Sequence, residues 1–177
     1  MSKSSKEQII DDEKKVIREL KKNAKASIDS IGKNCNFSRQ KVWRIIKRLE
    51  ENKTIWGYSS VFYDEKINLK RYFILFKRTS KPVPKEKIEI ITKGKLKEQA
   101  LKLGVGVESS YFIHGSYDWF VCITANTIKQ VKIFLKLFNN FFSEGYIADT
   151  EVLEVIFPVE INGISNPDTK EIEEFFM

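Results

Sequence analysis

The residues whose types and spacing could do chemistry lie mainly in one run, CNFSRQKVWRIIKRLEENKTIWGY, from Cys35 to Tyr58. Ser38, Arg39, Gln40, Lys41, Arg44, Lys47 and Arg48 bring a hydroxyl, an amide and five cations into eleven consecutive positions. The acids of this run, Glu50 and Glu51, are confined to its far end. Such a set has no nucleophile–base pair; it suits binding to a polyanion. Arginine can hold guanine through two acceptors, and glutamine can hold adenine. Arg39, Gln40 and Arg44 fall in the N-terminal half and are placed to reach base edges. Lys41, Lys47 and Arg48 suit phosphate contacts, which give affinity and salt dependence rather than sequence choice.

The element that positions these groups is legible in the same run. Val42, Ile45, Ile46 and Leu49 recur at i, i+3, i+4 and i+7, the signature of one apolar helix face. Gln40, Lys41, Arg44, Lys47 and Arg48 lie opposite. Trp43 sits at the edge of the apolar face and is expected to pack there. Ser38 is a good N-cap, and Asn52 and Lys53 close the helix. Upstream, ASIDSIGKNC predicts a shorter helix capped by Ser27, with Ile28, Ile31 and Cys35 on one face and a turn over Asn34 to Phe37. A first helix is expected to open at Asp11 or Asp12, carrying Val16, Ile17, Leu20 and Ala24. Three helices, a tight turn and a basic third helix predict a helix-turn-helix whose third helix lies in the DNA major groove.

Charge supports this placement. Residues 1–60 hold 15 Lys and Arg against 8 Asp and Glu, and residues 61–177 hold 16 of each, so the first third carries the whole net charge of +7. Compositional bias alone would spread the excess along the chain. At 177 residues, the chain suits one large domain or two small ones. No apolar run approaches 18 residues, the start MSKSSKEQIIDDEKK lacks the apolar centre of a secretory signal, and no membrane partner is expected. Cys35 and Cys122 have no metal or redox spacing and fall in apolar patterns, so buried thiols and a cytoplasmic location are expected. With a single histidine, and neither a phosphate-binding glycine loop nor a nucleophile elbow, the sequence calls for no catalytic residue, no metal and no cofactor.

Beyond the third helix the pattern changes. Thr54 to Phe62 is β-prone and predicts an extended arm bent at Gly57, followed by a polar link from Asp64 to Lys70. Tyr72 to Phe76 is a strand; KPVPKEK is a loop. Glu86 to Leu103 reads as a helix that Gly94 weakens. GVESSYFIHG and SYDWFVCITA are two strands joined through Gly115, IKQVKIFLKLFNNFF is an amphipathic helix, and YIADTEVLEVIFPVE is a long alternating strand. The order β-α-β-β-α-β predicts a ferredoxin-like domain of four antiparallel strands with two helices on one face. The expected fold is therefore α+β. A winged-type helix-turn-helix domain over 1–57 is joined by a β-arm, 58–70, to the ferredoxin-like domain at 71–159. A C-terminal extension, 160–177, is expected to be a loop and one short helix.

Taken together, the two halves resemble the Lrp/AsnC family, the feast/famine transcription regulators, over roughly Asp11 to Val159. DEKKVIREL is similar to that family's opening helix. FSRQKVWRIIKRLEENKTIWGY is similar to its recognition helix and the exit through Ile55, Gly57 and Tyr58. HGSYDWFV is similar to its Gly-x-Tyr-Asp turn, here Gly115, Tyr117 and Asp118. The resemblance implies a regulator that binds double-stranded DNA at imperfect palindromes. It implies a dimer through the C-terminal sheets, often assembled into tetramers or octamers. It also implies an effector, such as an amino acid or related small molecule, held near Gly115, Tyr117 and Asp118. Three features depart from the family pattern: His114 before the turn, the length of Lys85 to Leu103, and the tail after Val159. They bear on the effector pocket more than on the fold.

Other readings of these residues stand beside this one. Asp118 could accept a hydrogen bond from a ligand amine or cap its own turn. Gly115 is expected to serve the backbone, Tyr117 to pack on a sheet face, and His114 to be a satisfied strand histidine. A general DNA-coating protein would share the basic helix. A siroheme-decarboxylase-like enzyme would share the fold, but the C-terminal half offers only Arg71, Arg78 and His114 to a tetrapyrrole.

Overall fold

The computed structural model describes residues 5–142, 145–168 and 170–177. Two compact units are present: residues up to Phe62 together with those from Val159 onward, and Tyr63–Pro158. The tail that the sequence sets apart thus groups with the helical unit.

The helical unit opens with α1 (Lys6–Lys22), α2 (Ile28–Cys35) and α3 (Arg39–Glu51). A serine caps each N-terminus: the Oγ atoms of Ser5, Ser27 and Ser38 accept from the backbone N–H of Gln8, Ser30 and Lys41 at 3.2, 3.1 and 3.3 Å. An N-cap satisfies amides that have no partner inside the helix. The expected start of α1 at Asp11 or Asp12 is therefore corrected to Lys6. Ser5 takes the capping role, and Asp12 lies inside the helix as a buried residue. Val16, Ile31, Cys35, Val42, Ile45 and Leu49 form the core, ringed by Ile17, Leu20, Phe37 and Ile46. After α3, the arm Thr54–Phe62 belongs to no strand. Its β-prone residues have no ladder partner within the described chain. Tyr58 instead ties the arm back to α3, its hydroxyl donating to Glu50 at 2.8 Å. Burial and that carboxylate push the phenol up to about 12.

The second unit begins with a 3₁₀ turn, Asp64–Ile67, where the sequence predicted a polar link. Strand β1 (Lys70–Arg78) follows, then α4 (Lys85–Thr92), α5 (Lys95–Lys102), β2 (Val105–Phe112), β3 (Trp119–Ala125), α6 (Ile128–Phe141) and β4 (Ile147–Glu154). The sheet is antiparallel in the order β2-β3-β1-β4. This is the expected ferredoxin-like arrangement, with its first helix in two pieces. Gly94, at φ 72°, breaks the predicted Glu86–Leu103 helix and becomes the N-cap of α5. Strand β4 stops at Glu154, short of the predicted 160; the N–H of Val155 makes a last bond to Arg71, and Pro158 has none to give.

Alternation along the strands gives the sheet two different faces. Tyr72, Ile74 and Phe76 of β1, with Trp119, Val121 and Ile123 of β3, pack under α5 and α6. Phe138 of α6 stacks on Phe76 at 4.1 Å and lies 5.1 Å from Trp119. The opposite face carries two cross-strand rows: Tyr111, Phe120, Leu75 and Glu151, and Ser109, Cys122, Phe73 and Leu153. At one end of this face Arg71 donates twice to the buried Asp64, at 2.6 and 3.1 Å, and once to Cys122 Sγ at 3.5 Å. Both cysteines are buried and free, as expected.

The tail carries the predicted short helix, with a hairpin where a loop was expected. Glu160–Ile161 (β5) and Ile164–Ser165 (β6) pair as a hairpin before α7 (Lys170–Phe176). Its two-residue turn is Asn162–Gly163, with φ of 54° and 81°. Positive φ at both positions is the requirement of a type I′ turn, and Asn-Gly is its preferred sequence.

Replacing Phe138 removes the centre of an aromatic cluster that cannot close over the gap. Phe138→Ala should lower the stability of the sheet unit by about 3–5 kcal/mol, read from its denaturant midpoint.

Candidate nucleic-acid interface

The basic helix is aimed by the turn before it. Asn36 adopts a left-handed conformation at φ 56°, and the N–H of Phe37 bonds back to the Gly32 carbonyl at 2.8 Å, closing α2 in a Schellman-like end. A Cβ on Gly32 would meet the carbonyl oxygen of Phe37 at 2.8 Å. Only glycine lets α2 and the turn approach this closely. Ser38 then starts α3, and Val42, Ile45 and Leu49 fix its rotation by burial.

A second lock is polar. Asp12 of α1 is buried and accepts from Gln8 at 3.1 Å, and it pairs with Lys41 Nζ at 2.7 Å. The same ammonium lies 3.8 Å from the centre of the Phe37 ring. Burial alone would push the Asp12 carboxyl up. Hydrogen bonds from Lys41 and Gln8, with the charges of Lys41 and Lys15, outweigh burial and hold it below its ordinary value. Lys41, placed among the phosphate contacts by sequence, is thus engaged within the helical unit.

The other predicted residues divide in the same way. Ser38 is occupied as the cap. Arg39 pairs with Asp29 of α2, and Arg48 with Glu13 of α1 at 2.9 Å. Both pairs are on the surface, so their cations remain open to an outside anion at small cost. Gln40 and Arg44 are exposed side by side, Arg44 Nε lying 3.4 Å from the Gln40 carbonyl. Lys47 is exposed, 3.8 Å from Glu51. Trp43 corrects the sequence reading: it is 50% exposed, with Lys47 Nζ 5.1 Å from its ring. Positions 40, 43, 44 and 47 are one helix turn apart and share the outward face. Trp43 thus belongs to the outward face rather than to the packed one, and its i+4 relation to Lys47 was the available signal.

The second predicted cluster is the β2–β3 turn. Gly115 has φ 148°, outside the region other residues prefer. Asp118 accepts from the backbone N–H of Arg78 at 2.8 Å, and Lys77 Nζ lies 3.6 Å away. The backbone hydrogen bond and the neighbouring cations hold its carboxyl below the ordinary range. Asp118 thus ties the β2–β3 turn to the end of β1 rather than capping its own turn. Tyr117 is half-buried, and its hydroxyl donates to Glu151 at 2.5 Å, raising the phenol. His114 is exposed in the turn rather than held in a strand. Among the described residues no group of three or more His, Cys, Asp or Glu is placed to hold a metal, and no helix is long and apolar enough to cross a membrane.

Comparison with known proteins agrees with this geometry. Residues 13–55 match the winged helix-turn-helix DNA-binding family. No curated protein matches the sequence. Among solved structures, the chain is similar to an AsnC family transcriptional regulator from Agrobacterium tumefaciens (TM-score 0.60, 17% identity, 91% of this chain and 97% of that one). It is also similar to LrpC of B. subtilis (0.59, 17%, 90% and 99%). A third is the transcriptional regulator NMB0573 of Neisseria meningitidis, solved as an L-Met complex (0.63, 15%, 96% and 99%). The expected two-part fold is thus shared along nearly the whole chain.

Two outcomes test the positioning of α3. Gly32→Ala should cost about 1–3 kcal/mol in unfolding measurements, because the clash is with backbone. The depressed Asp12 carboxyl contributes stability that is present above its unfolded value of 3.8 and is lost as pH falls through the lower folded one. Acid titration of stability should show that loss, and Asp12→Asn should remove it.

Proposed function

We propose that this protein is a sequence-specific DNA-binding transcription regulator. The observation that carries the reading is the outward face of α3: Gln40, Trp43, Arg44 and Lys47 share one exposed side of a helix whose other side is buried. The match of residues 13–55 to a DNA-binding family supports it. In this reading α3 enters the major groove. Gln40 and Arg44 meet base edges, Trp43 packs against the sugar-phosphate wall or a thymine methyl, and Lys47 meets phosphate. Arg39, Arg48 and Lys41 contribute positive potential from the flanks; Lys41 does so while tied to Asp12.

The open sheet face supports self-association. Tyr111 and Leu153 are 57% and 42% exposed, beside the partly covered Phe73, Leu75 and Phe120. A contiguous apolar patch on a soluble domain marks a contact surface. A two-fold dimer through it presents two copies of α3 to half-sites about 34 Å apart, one helical turn of DNA. Tetramers or octamers would build on the same dimer. The L-Met complex of the Neisseria protein supports an amino-acid effector near Gly115, Tyr117 and Asp118. Cytoplasmic location follows from the same reading.

Site selection from a random DNA pool at near-physiological salt tests the proposal. A palindrome with half-sites one helical turn apart is the expected product. Good binding with no enriched sequence would instead favour a DNA-coating role. Arg44→Ala should cost about 1–3 kcal/mol and relax choice at one base pair, while Lys47→Ala should weaken all sequences alike and lower the salt slope by about one. In light scattering, Phe120→Lys should shift the assembly toward monomer; a wild-type protein that is monomeric at micromolar concentration would overturn the dimer.

A further inference from the structure

The sheet unit contains a cavity of about 300 Å³ that none of the roles above uses. It lies on the helix-covered side of the sheet, beneath α4, away from the open face. Ile88 of α4, Phe112 of β2, Trp119 of β3, Phe142 after α6 and Tyr146 before β4 line it, and Arg78 stands at its edge. Of the two short helices, only α4 contributes to its walls. Helix α4 buries no residue completely, and Ile88 on it is 43% exposed. Phe112 is 64% exposed although it stacks on Trp119 at 5.3 Å. An open apolar cleft of this size with aromatic walls is suited to an occupant.

Among the described residues that line the cavity, the charged one is Arg78. Arg78 ends β1 here, and its backbone N–H, not its guanidinium, makes the bond to Asp118. Lys81 Nζ lies 4.7 Å from the centre of the Tyr146 ring. Lys87 Nζ donates to the Phe141 carbonyl at 2.7 Å and lies 5.9 Å from the same ring. No acid lines the cavity among the described residues. Apolar, largely aromatic walls beside a guanidinium select a ligand with an apolar body and one anionic end, and planar carboxylates fit arginine in two-point contact. An amine of the same shape would be repelled by the Arg78 guanidinium.

We propose that this cavity binds a small aryl or branched aliphatic carboxylate, its apolar body between Ile88, Phe112 and Trp119 and its carboxylate on Arg78. The pocket is formed within one chain, and binding to it requires neither DNA nor a partner subunit. The proposal therefore stands or falls separately from the DNA-binding reading.

The test is calorimetric titration of the full chain with 3-phenylpropionate, 3-phenylpropanol and 3-phenylpropylamine, with Trp119 fluorescence followed in a Trp43→Phe, Trp56→Phe background. The acid should bind at least tenfold more tightly than the alcohol and change the Trp119 emission, and the amine should not bind. Arg78→Gln, a surface change, should weaken the acid about ten- to hundredfold and leave the alcohol unaltered. Ile88→Trp, which fills the mouth, should abolish acid binding while circular dichroism stays native. The proposal is overturned if the acid gives no heat at millimolar concentration or if acid and alcohol bind alike. Acid binding that is indifferent to both substitutions overturns it too, because the acid would then sit elsewhere.

Discussion

Everything the helical unit does with its charges depends on burial of one apolar stripe, Val42, Ile45 and Leu49, against Val16 and Ile31. A helix of 13 residues is marginal alone in water. Packing both forms it and sets its rotation, and rotation decides which side chains face outward. The Asp12–Lys41 pair and the Phe37 ring then fix its long axis at the N-terminal end, where an error would displace Gln40 and Arg44 most. The cations on α3 fall into two groups as a result. Lys41, Arg39 and Arg48 are bonded to acids of α1 or α2, and Arg44 and Lys47 point away from them. Orientation and contact are assigned to different residues, although composition gives them one sign.

The sheet unit solves another problem with the same means. Strict alternation sends Tyr72, Ile74 and Phe76 to the helices and Phe73 and Leu75 to the other face. A strand that is apolar on both sides has committed both of them. The covered side is filled by aromatic stacking around Phe138, except beneath α4, where a broken helix covers the sheet less completely. The open side is left with an aromatic row that water solvates poorly.

Much of this was legible in the chain. Ser27, Ser38 and Asn52 mark helix ends by local chemistry, and the stripe of α3 and the order of elements in the second unit are short-range patterns. The misreadings arise where two local signals compete or a distant partner decides. Asp11 and Asp12 look like caps, but Ser5 lies upstream, and the partner that explains Asp12 is Lys41, a full helix away. Trp43 reads as packing because it borders the apolar face, and the wheel alone does not show where the neighbouring helix ends. Gly94 was seen to weaken a helix; that it divides it depends on the sheet below. The Asn-Gly of the tail was a sufficient hairpin signal, but the flanking strands are only two residues each and show no alternation to read.

The tail's allegiance changes what kind of chain this is. The sheet unit begins at Tyr63 and ends at Pro158, and its two ends meet: the rings of Tyr63 and Phe157 lie 6.2 Å apart. Adjacent termini make the sheet unit an inserted module rather than a second bead on a string. The helical unit is the host, open in sequence yet continuous in space, and Asn162 and Ile164 help line a groove together with Ile17, Leu20 and Trp56. In a growing chain the helical unit is therefore completed only by residues made after the whole sheet unit.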